Sequence, residues 1–411
     1  MLAPACGRRL ALRRLLAALL TACAALALDA AASHALGPDA LRARLARDMR
    51  QASTFSGAYV RDLGTGDVLF ARKDTVARVP ASVQKLYTTS TALLRFGPEA
   101  RLRTQVLAAG AVDELGVLRG NLYLRGGGDP TLGRAEISAL AATFAAQSGI
   151  ARVDGSVLGD ETLFDSRRGA ARTAFAFDRN IGGVLSGLAV GRGFSRDGAP
   201  AKEAARRFAK ALRAAGVRVD GRSGAGVAPV EAREVAGVDS PPMTELARLT
   251  NVPSDNFDAE MLLKALGAAF GGAGTTPAGA AVVRSQLALF GIRPRVVDGS
   301  GLSRSNRTTP RQVVGLLAGM HAQEEVGHAF EASLAVAGRT GTVRRRMRGT
   351  AAQDRCRAKT GTLRAVSALA GYCLTTGGRT VAFAILMSTR NTARAHVVQD
   401  RMTAAIATYG S

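Results

Sequence analysis

The sequence predicts an α+β fold in which one domain is assembled from both ends of the chain. Three observations point there. Residues 56–73 read as a β-hairpin with an apolar-faced helix after it. Residues from 240 onward read as helices, three strands and a closing helix. Residues 99–239 between them differ in texture, with short strand patterns and glycine-rich corners. A hairpin and helix at the start with helices and strands at the end suggest a single layered domain. The expected division is a leader over 1–35, the α+β domain over 36–98 and 240–411, and an inserted accessory region over 99–239.

Each element follows from its pattern. Arg8, Arg9, Arg13 and Arg14 precede the apolar run LLAALLTACAALAL and the small-residue stretch DAAASHA, the three parts of a secretory signal. Cleavage is expected after Ala35, with Ala32 as second choice. Within the run, Leu20 to Cys23 reads LTAC and is similar to a lipoprotein processing site that would leave Cys23 acylated. The residues after Cys23 stay apolar, which favours the plain signal.

SGAYVRDLGTGDVLFARK (56–73) alternates about a Gly-Thr-Gly-Asp turn, a hairpin signature. RVPASVQKLYTTSTALLRFG (78–97) predicts a helix from Ser82, with apolar Val83, Leu86, Tyr87, Leu93 and Leu94 at spacings of three and four. Residues 101–133 are two strands closed by a glycine-rich corner, 136–149 a helix and 153–164 strand-like. Residues 165–200 are irregular, and 201–216 form an amphipathic helix with strand-like VRVDG after it. Helical patterns return over 242–250, 256–270, 277–290 and 310–321. Strands follow at 355–361, 365–375 and 379–388, then a helix over 391–408.

The formal net charge is +23, and only six of the 55 basic residues are lysine: 73, 85, 202, 210, 264 and 359. The charge suits peripheral association with anionic cell-wall polymers or a membrane surface, or it is a preference for arginine spread over a solvated exterior. Nucleic-acid binding is not expected: the leader implies export, there is no Trp, and no basic-aromatic module occurs. No cofactor is expected. No metal site is expected either, since no histidine lies at ligand spacing from a cysteine pair. The scarcity of lysine is more telling. Arginine keeps its proton in any protein setting, whereas a desolvated lysine can lose it. Lys85 and Lys359 sit in suggestive company.

Ser82 and Lys85 are three apart and so adjacent on a helix. A serine hydroxyl needs a neighbour to take its proton. A lysine can do so if its pKa falls from about 10.4 towards about 7–8, roughly 4 kcal/mol of differential destabilisation of the ammonium. By itself the pair also reads as a capping serine followed by an exposed lysine. Ser254, Asp255 and Asn256 open the helix NFDAEMLLKALG, and alone they read as caps. In RAKTGTLRAVSALAGYCL (357–374), backbone groups of a Lys-Thr-Gly strand could pair with an extended peptide. Gly361 lets that substrate approach closely, and Lys359 and Thr360 would hold an anionic group. GRTGTVRRRM (338–347) looks like a duplicate with arginine for lysine, and is read as a decoy. If strands 355–361 and 366–374 pair about a turn near residue 364, Cys356 faces Cys373; a disulfide and two buried thiols are the alternatives.

Ser-x-x-Lys, Ser-Asp-Asn and Lys-Thr-Gly, each present once and in this order, occur together in penicillin-binding proteins and active-site-serine β-lactamases. Beyond them, the stretches PASVQKLYTTSTAL, LYLRGGGDPTL, SPPMTELARLTNVPSDNFDAEMLLKALG, VVDGSGLSRSNRTTP and AKTGTLRAVSALAGY resemble D-alanyl-D-alanine carboxypeptidase/endopeptidases of the penicillin-binding protein 4 type. The resemblance implies a β-lactamase/transpeptidase-like domain, an antiparallel sheet flanked by helices, with accessory structure inserted between the first two motifs.

It also implies the roles. Ser82 attacks a D-Ala-D-Ala carbonyl, with Lys85 as its base. Ser254 relays a proton to the leaving amine with help from Lys359. Asn256 binds the acyl side chain's amide, and Thr360, Gly361 and Thr362 bind substrate, the threonines fixing its terminal carboxylate. The Ser82 and Thr362 backbone N–H groups form the oxyanion hole. Asp298 and Ser300 brace the site. Partners would be peptidoglycan peptides, with β-lactams as covalent inhibitors, and the location the periplasm or the outer face of the membrane. A β-lactamase or esterase on the same core, or a wall-sensing protein that acylates and stops, are the alternatives. A Ser-His-Asp mechanism would have to use His321, His328 or His396, and no Gly-x-Ser-x-Gly elbow accompanies them.

Overall fold

A computed structural model describes residues 35–410. The expected leader, its cleavage points and Cys23 fall on or before the first of these and lie outside the description. The chain opens with helix α1 (Pro38–Met49), whose Leu41, Leu45 and Met49 are buried one turn apart. The sequence reading does not include this helix, although its i, i+4, i+8 apolar spacing is present there. Strands β1 (Gly57–Asp62) and β2 (Val68–Arg72) form the anticipated antiparallel hairpin. The Asp62 carboxylate accepts the N–H groups of Gly64 (2.8 Å) and Thr65 (3.3 Å), and Gly66 turns the chain at φ 83°. Asx-type bonding of this kind is what makes Asp a turn residue.

The helix expected from Ser82 begins instead as a 3-10 turn, Ala81–Gln84, and becomes α2 only at Lys85–Phe96. Ala81 has φ 48° there, a conformation L-residues avoid. The chain then forms β3 (Arg103–Val112), β4 (Val117–Arg125), α3 (Arg134–Gln147), β5 (Arg152–Val153), β6 (Val157–Asp160), α4 (Pro200–Ala214), β7 (Arg218–Val219), β8 (Ser223–Ala225) and β9 (Arg233–Asp239). Strands β3 to β9 make a sheet of their own, in the order β7-β5-β4-β3-β9 with β6 and β8 appended beside β4. Its core is Val106, Leu118, Leu122, Leu124, Phe144 and Phe208 with their neighbours. Residues 165–199 carry only one short 3-10 turn, Ala171–Thr173.

Helices α5 (Met243–Asn251), α6 (Asn256–Phe270), α7 (Thr276–Ala288), α8 (Pro310–His321) and α9 (Glu324–Ala332) follow. Strands β10 (Ala335–Val336), β11 (Cys356–Leu363), β12 (Val366–Leu374) and β13 (Thr380–Ser388) and helix α10 (Thr392–Ala407) complete the chain. The second sheet is antiparallel throughout, in the order β10-β11-β12-β13-β1-β2, so the two chain ends meet where β1 pairs with β13. Both its faces are covered. Ala368, Ala370 and Tyr372 of β12 point into a core shared with α2, α6, α7, α8 and α9, while Leu369 and Cys373 point into one shared with α1 and α10. This period of two is why β12 and β13 read as unbroken apolar runs. The fold is therefore α+β, an antiparallel sheet flanked by helices and built from both chain ends, as the sequence predicts.

Helix α6 is buried from Phe257 through Gly267 on every side. It is the central post of the structure, and the site is built at its N-terminal end.

Candidate active site

The 3-10 turn presents Ser82 at the mouth of α2, and Lys85 follows one turn below. The Lys85 amine is fully buried and lies 3.0 Å from Ser82 Oγ, 2.7 Å from Asn256 Oδ1 and 2.7 Å from the Ser300 carbonyl oxygen. Asn256 Nδ2 donates to the Asn180 carbonyl at 2.7 Å, which fixes the orientation of the amide and leaves its oxygen for Lys85. Two of the three partners can only accept. A neutral amine has two N–H groups and one lone pair. If the N–H groups serve Asn256 and Ser300, the lone pair faces the Ser82 hydroxyl proton. Burial pushes Lys85 from its ordinary value down to about 8, against the pull of Asp298, Glu260, Asp255 and Asp258.

The carboxylates below the amine are themselves held. Asp298 accepts from Gly301 N (2.9 Å), Asn306 Nδ2 (2.7 Å) and Ser303 N (2.6 Å). Glu260, one helical turn beyond Asn256, accepts from Ser300 N at 2.9 Å and Gly299 N at 3.2 Å. Burial raises both carboxyls, Glu260 to about 7.

The Ser-Asp-Asn segment is the link between α5 and α6. Ser254 stands at φ 65°, and Asp255 caps α6 by accepting Asp258 N at 3.0 Å. The half-buried Ser254 hydroxyl makes no hydrogen bond with the described residues. Arg192, from the irregular stretch, bonds Asp255 at 2.8 Å and lies 4.6 Å over the Phe257 ring. The inserted region thus touches this motif twice, through Asn180 and Arg192.

Strand β11 brings the third motif. Lys359 is fully buried, its ammonium disfavoured first by burial and then by Lys85, and its Nζ donates to the Thr360 carbonyl at 3.0 Å. A Cβ on Gly361 would lie 2.6 Å from Pro80 O and 3.1 Å from the backbone N of Ser82 and of Val83. The sequence reading gives this glycine the task of admitting substrate; the structure adds close packing of the strand on the Ser82 turn. Beyond residue 358 the outer edge of β11 pairs with no strand among the described residues, because the antiparallel β10 begins only at Ala335, opposite Ala358. The Thr362 side chain is exposed. Cys356 and Cys373, paired in register, form a disulfide.

The site therefore gathers Ser82 and Lys85 with Asn256, and brings Gly361 and Lys359 alongside. The structure adds Glu260, Asn180, Arg192 and Thr342, none of which the sequence motifs include. Glu260 carries a partial signal, a carboxylate on a helix whose buried residues are mostly apolar but also include Asp258 and Lys264. Thr342 sits in the segment read as a decoy, yet its Oγ1 lies 2.8 Å from Thr360 Oγ1 and Gly341 packs on the Val252 carbonyl. Among the described residues no histidine side chain bonds a serine or a carboxylate. No described group of His, Cys, Asp and Glu could hold a metal ion.

A serine paired with a buried lysine on a helix, an Asx loop and a Lys-Thr-Gly strand under an antiparallel sheet define the penicillin-recognising serine enzymes. The comparisons narrow this class. The chain matches the D-Ala-D-Ala carboxypeptidase 3 (S13) family over residues 40–176 and 182–409, and belongs to it. It is 32% identical over 444 aligned residues to the D-alanyl-D-alanine carboxypeptidase of Actinomadura sp. (strain R39), covering 86% of this chain and 81% of that one. It is 32% identical to carboxypeptidase DacB of Mycolicibacterium smegmatis over 361 residues, 80% of this chain and 75% of the relative. The fold matches the crystal structure of penicillin binding protein 4 from Haemophilus influenzae with a TM-score of 0.76 and 21% identity, over 89% of this chain and 99% of the other. The protein is a serine-type D-Ala-D-Ala carboxypeptidase by family. No described helix is long and apolar enough to cross a membrane.

Proposed function

We propose that the protein cleaves peptidoglycan stem peptides ending in D-Ala-D-Ala, and cross-bridges as an endopeptidase, through an acyl-enzyme on Ser82. One observation carries the reading: a buried amine 3.0 Å from the serine hydroxyl whose other two partners only accept. Ser82 Oγ attacks the carbonyl of the penultimate residue while its proton passes to Lys85. The ammonium so formed is stabilised by Asp298. The C–N bond then breaks, and the departing D-Ala amine takes a proton through Ser254, with Lys359 beside it. Water hydrolyses the ester and returns Ser82.

Asn256 orients Lys85 and, through its amide, the acyl group. Thr360 and Thr362 bind the terminal carboxylate. The open edge of β11 beyond residue 358 supports an extended substrate lying against it. The oxyanion is placed between the Ser82 and Thr362 N–H groups, donors worth about 3–4 kcal/mol each. β-Lactams would be covalent inhibitors, since their strained amide takes the place of the D-Ala-D-Ala bond. A solved Haemophilus influenzae penicillin binding protein 4 with this fold is complexed with a β-lactam, in keeping with that expectation. Action outside the cytoplasmic membrane is supported by the leader pattern and by the Cys356–Cys373 disulfide, a bond at home in oxidising compartments.

The test is release of D-alanine from a synthetic stem pentapeptide by the protein and by Ser82→Ala. Wild-type release with none from the variant is expected; equal release from both refutes the assignment.

A further inference from the structure

Lys85 can act as a base only if its lone pair, and not one of its N–H groups, faces Ser82. That choice is made by the two acceptors on its far side. Asn256 is held by its own bond to Asn180. The other acceptor is a backbone carbonyl in the loop 298–301, and a loop carbonyl is only as fixed as its peptide planes. The Gly301 N–H, in the same peptide plane as the Ser300 carbonyl, is held by Asp298 at 2.9 Å. The two N–H groups before the carbonyl, of Gly299 and Ser300, both end on one oxygen, Glu260 Oε1, at 3.2 and 2.9 Å. Glu260 is fully buried, and its second oxygen has no hydrogen-bond partner in the structure. A buried carboxyl with one unpartnered oxygen is costly to keep; the buried Lys264 one turn on feels its charge but is bonded to Asp165 rather than to it.

We propose that Glu260 is a positioning residue for the reaction: by clamping the Gly299 and Ser300 N–H groups, it aims the Ser300 carbonyl at Lys85 and so turns the amine's lone pair to Ser82. The inference rests on the Ser82 acyl-enzyme reading above. The role is geometric, because Oε1 accepts these two bonds whether or not Oε2 carries a proton. Burial and the neighbouring Asp298 raise Glu260 above the usual carboxylate range.

Three carboxylates besides Glu260 act on Lys85, from the 298–301 loop (Asp298) and from the α6 N-terminus (Asp255 and Asp258). Lys359 faces it from β11. Asp255, Asp258 and Lys359 act through charge, whereas Asp298 also holds the loop by accepting Gly301 N at 2.9 Å, and Glu260 holds the two N–H groups before the carbonyl.

Two conservative variants separate geometry from charge. Glu260→Gln keeps an acceptor oxygen in place and removes the charge. Glu260→Asp keeps the charge and withdraws the acceptor by about one C–C bond, roughly 1.5 Å. The readout is the rate of covalent labelling by a fluorescent penicillin at saturating concentration, with the half-saturating concentration measured separately, peptide mapping of the adduct, and a melting curve for each protein.

Glu260→Gln is expected to label Ser82 within about threefold of wild type. Glu260→Asp is expected to label it at least about tenfold more slowly with unchanged half-saturation, since misplacement by about 1 Å costs on the order of 100-fold. A folded Glu260→Gln that loses the rate, or a folded Glu260→Asp that retains it, overturns the proposal. Should Glu260→Asp not fold, Glu260→Leu takes its place: labelling at least about tenfold slower is expected, and labelling at the wild-type rate overturns the proposal. Wild-type protein labelled elsewhere than Ser82 would instead overturn the underlying reading.

Discussion

Gly361→Ala tests how the third motif meets the first. In an extended strand alanine is ordinarily harmless, so any effect comes from contact. The added Cβ would sit 2.6 Å from the Pro80 carbonyl oxygen and 3.1 Å from two backbone nitrogens. A carbon–oxygen contact needs roughly 3.4 Å, so strand and turn must separate by about 0.8 Å. Both sides are backbone, and no rotamer relieves them. Overpacking of this kind costs about 1–3 kcal/mol, less about 0.4–1 kcal/mol recovered by stiffening the unfolded chain. The net loss of stability is therefore about 1–2 kcal/mol. The effect on chemistry should be larger, because the displacement separates Ser82 from the strand beside it. A shift approaching 1 Å implies a fall in acylation approaching 100-fold. Stopped-time labelling with fluorescent penicillin, beside a melting curve, reads both. A variant that melts and labels as wild type would refute the packing argument.

Lys85→Arg should reduce Ser82 acylation at least about 100-fold without unfolding the protein, since arginine keeps its proton; labelling rates and circular dichroism check this. Replacing Cys356 and Cys373 together by alanine removes a cross-link spanning 17 residues. It should lower stability by about 3 kcal/mol, measured by denaturant unfolding, while acylation persists under native conditions. Arg192→Ala removes the bond to Asp255 and the stacking on Phe257. It should cost about 1 kcal/mol and slow acylation. Arg248→Ala, which breaks only an exposed pair with Glu245, should do neither.

Much of the fold and of the site is legible in the amino-acid sequence. The hairpin 56–73, the helices after 240 and the last three strands announce themselves by period and turn chemistry, and the three motifs contain residues that the fold brings together. Other features cannot be read locally. Whether Ser82 begins an α-helix depends on Ala81 adopting φ 48°, a tertiary demand with no propensity behind it. Helix α1 begins soon after the apolar run read as a leader, and that run draws attention from its spacing. Asn180 and Arg192 lie in a stretch with no periodicity, and their importance comes from what they meet on α6. Thr342 lies in a segment with no long strand pattern, yet the short strand β10 still carries that segment to Thr360. Gly361 stands out in its motif, but the neighbour that needs it to be small is Pro80, 281 positions earlier in the chain.

The sharpest test of a neutral lysine beside Ser82 is the pH dependence of penicillin acylation, followed from about pH 6 to about pH 10 with the adduct mapped at each end. Below its midpoint Lys85 is an ammonium with no lone pair to offer. The rate is expected to rise close to tenfold per pH unit and level off above about 8, with all label on Ser82. A rate that stays flat across the range, or a label on another residue, would contradict the account.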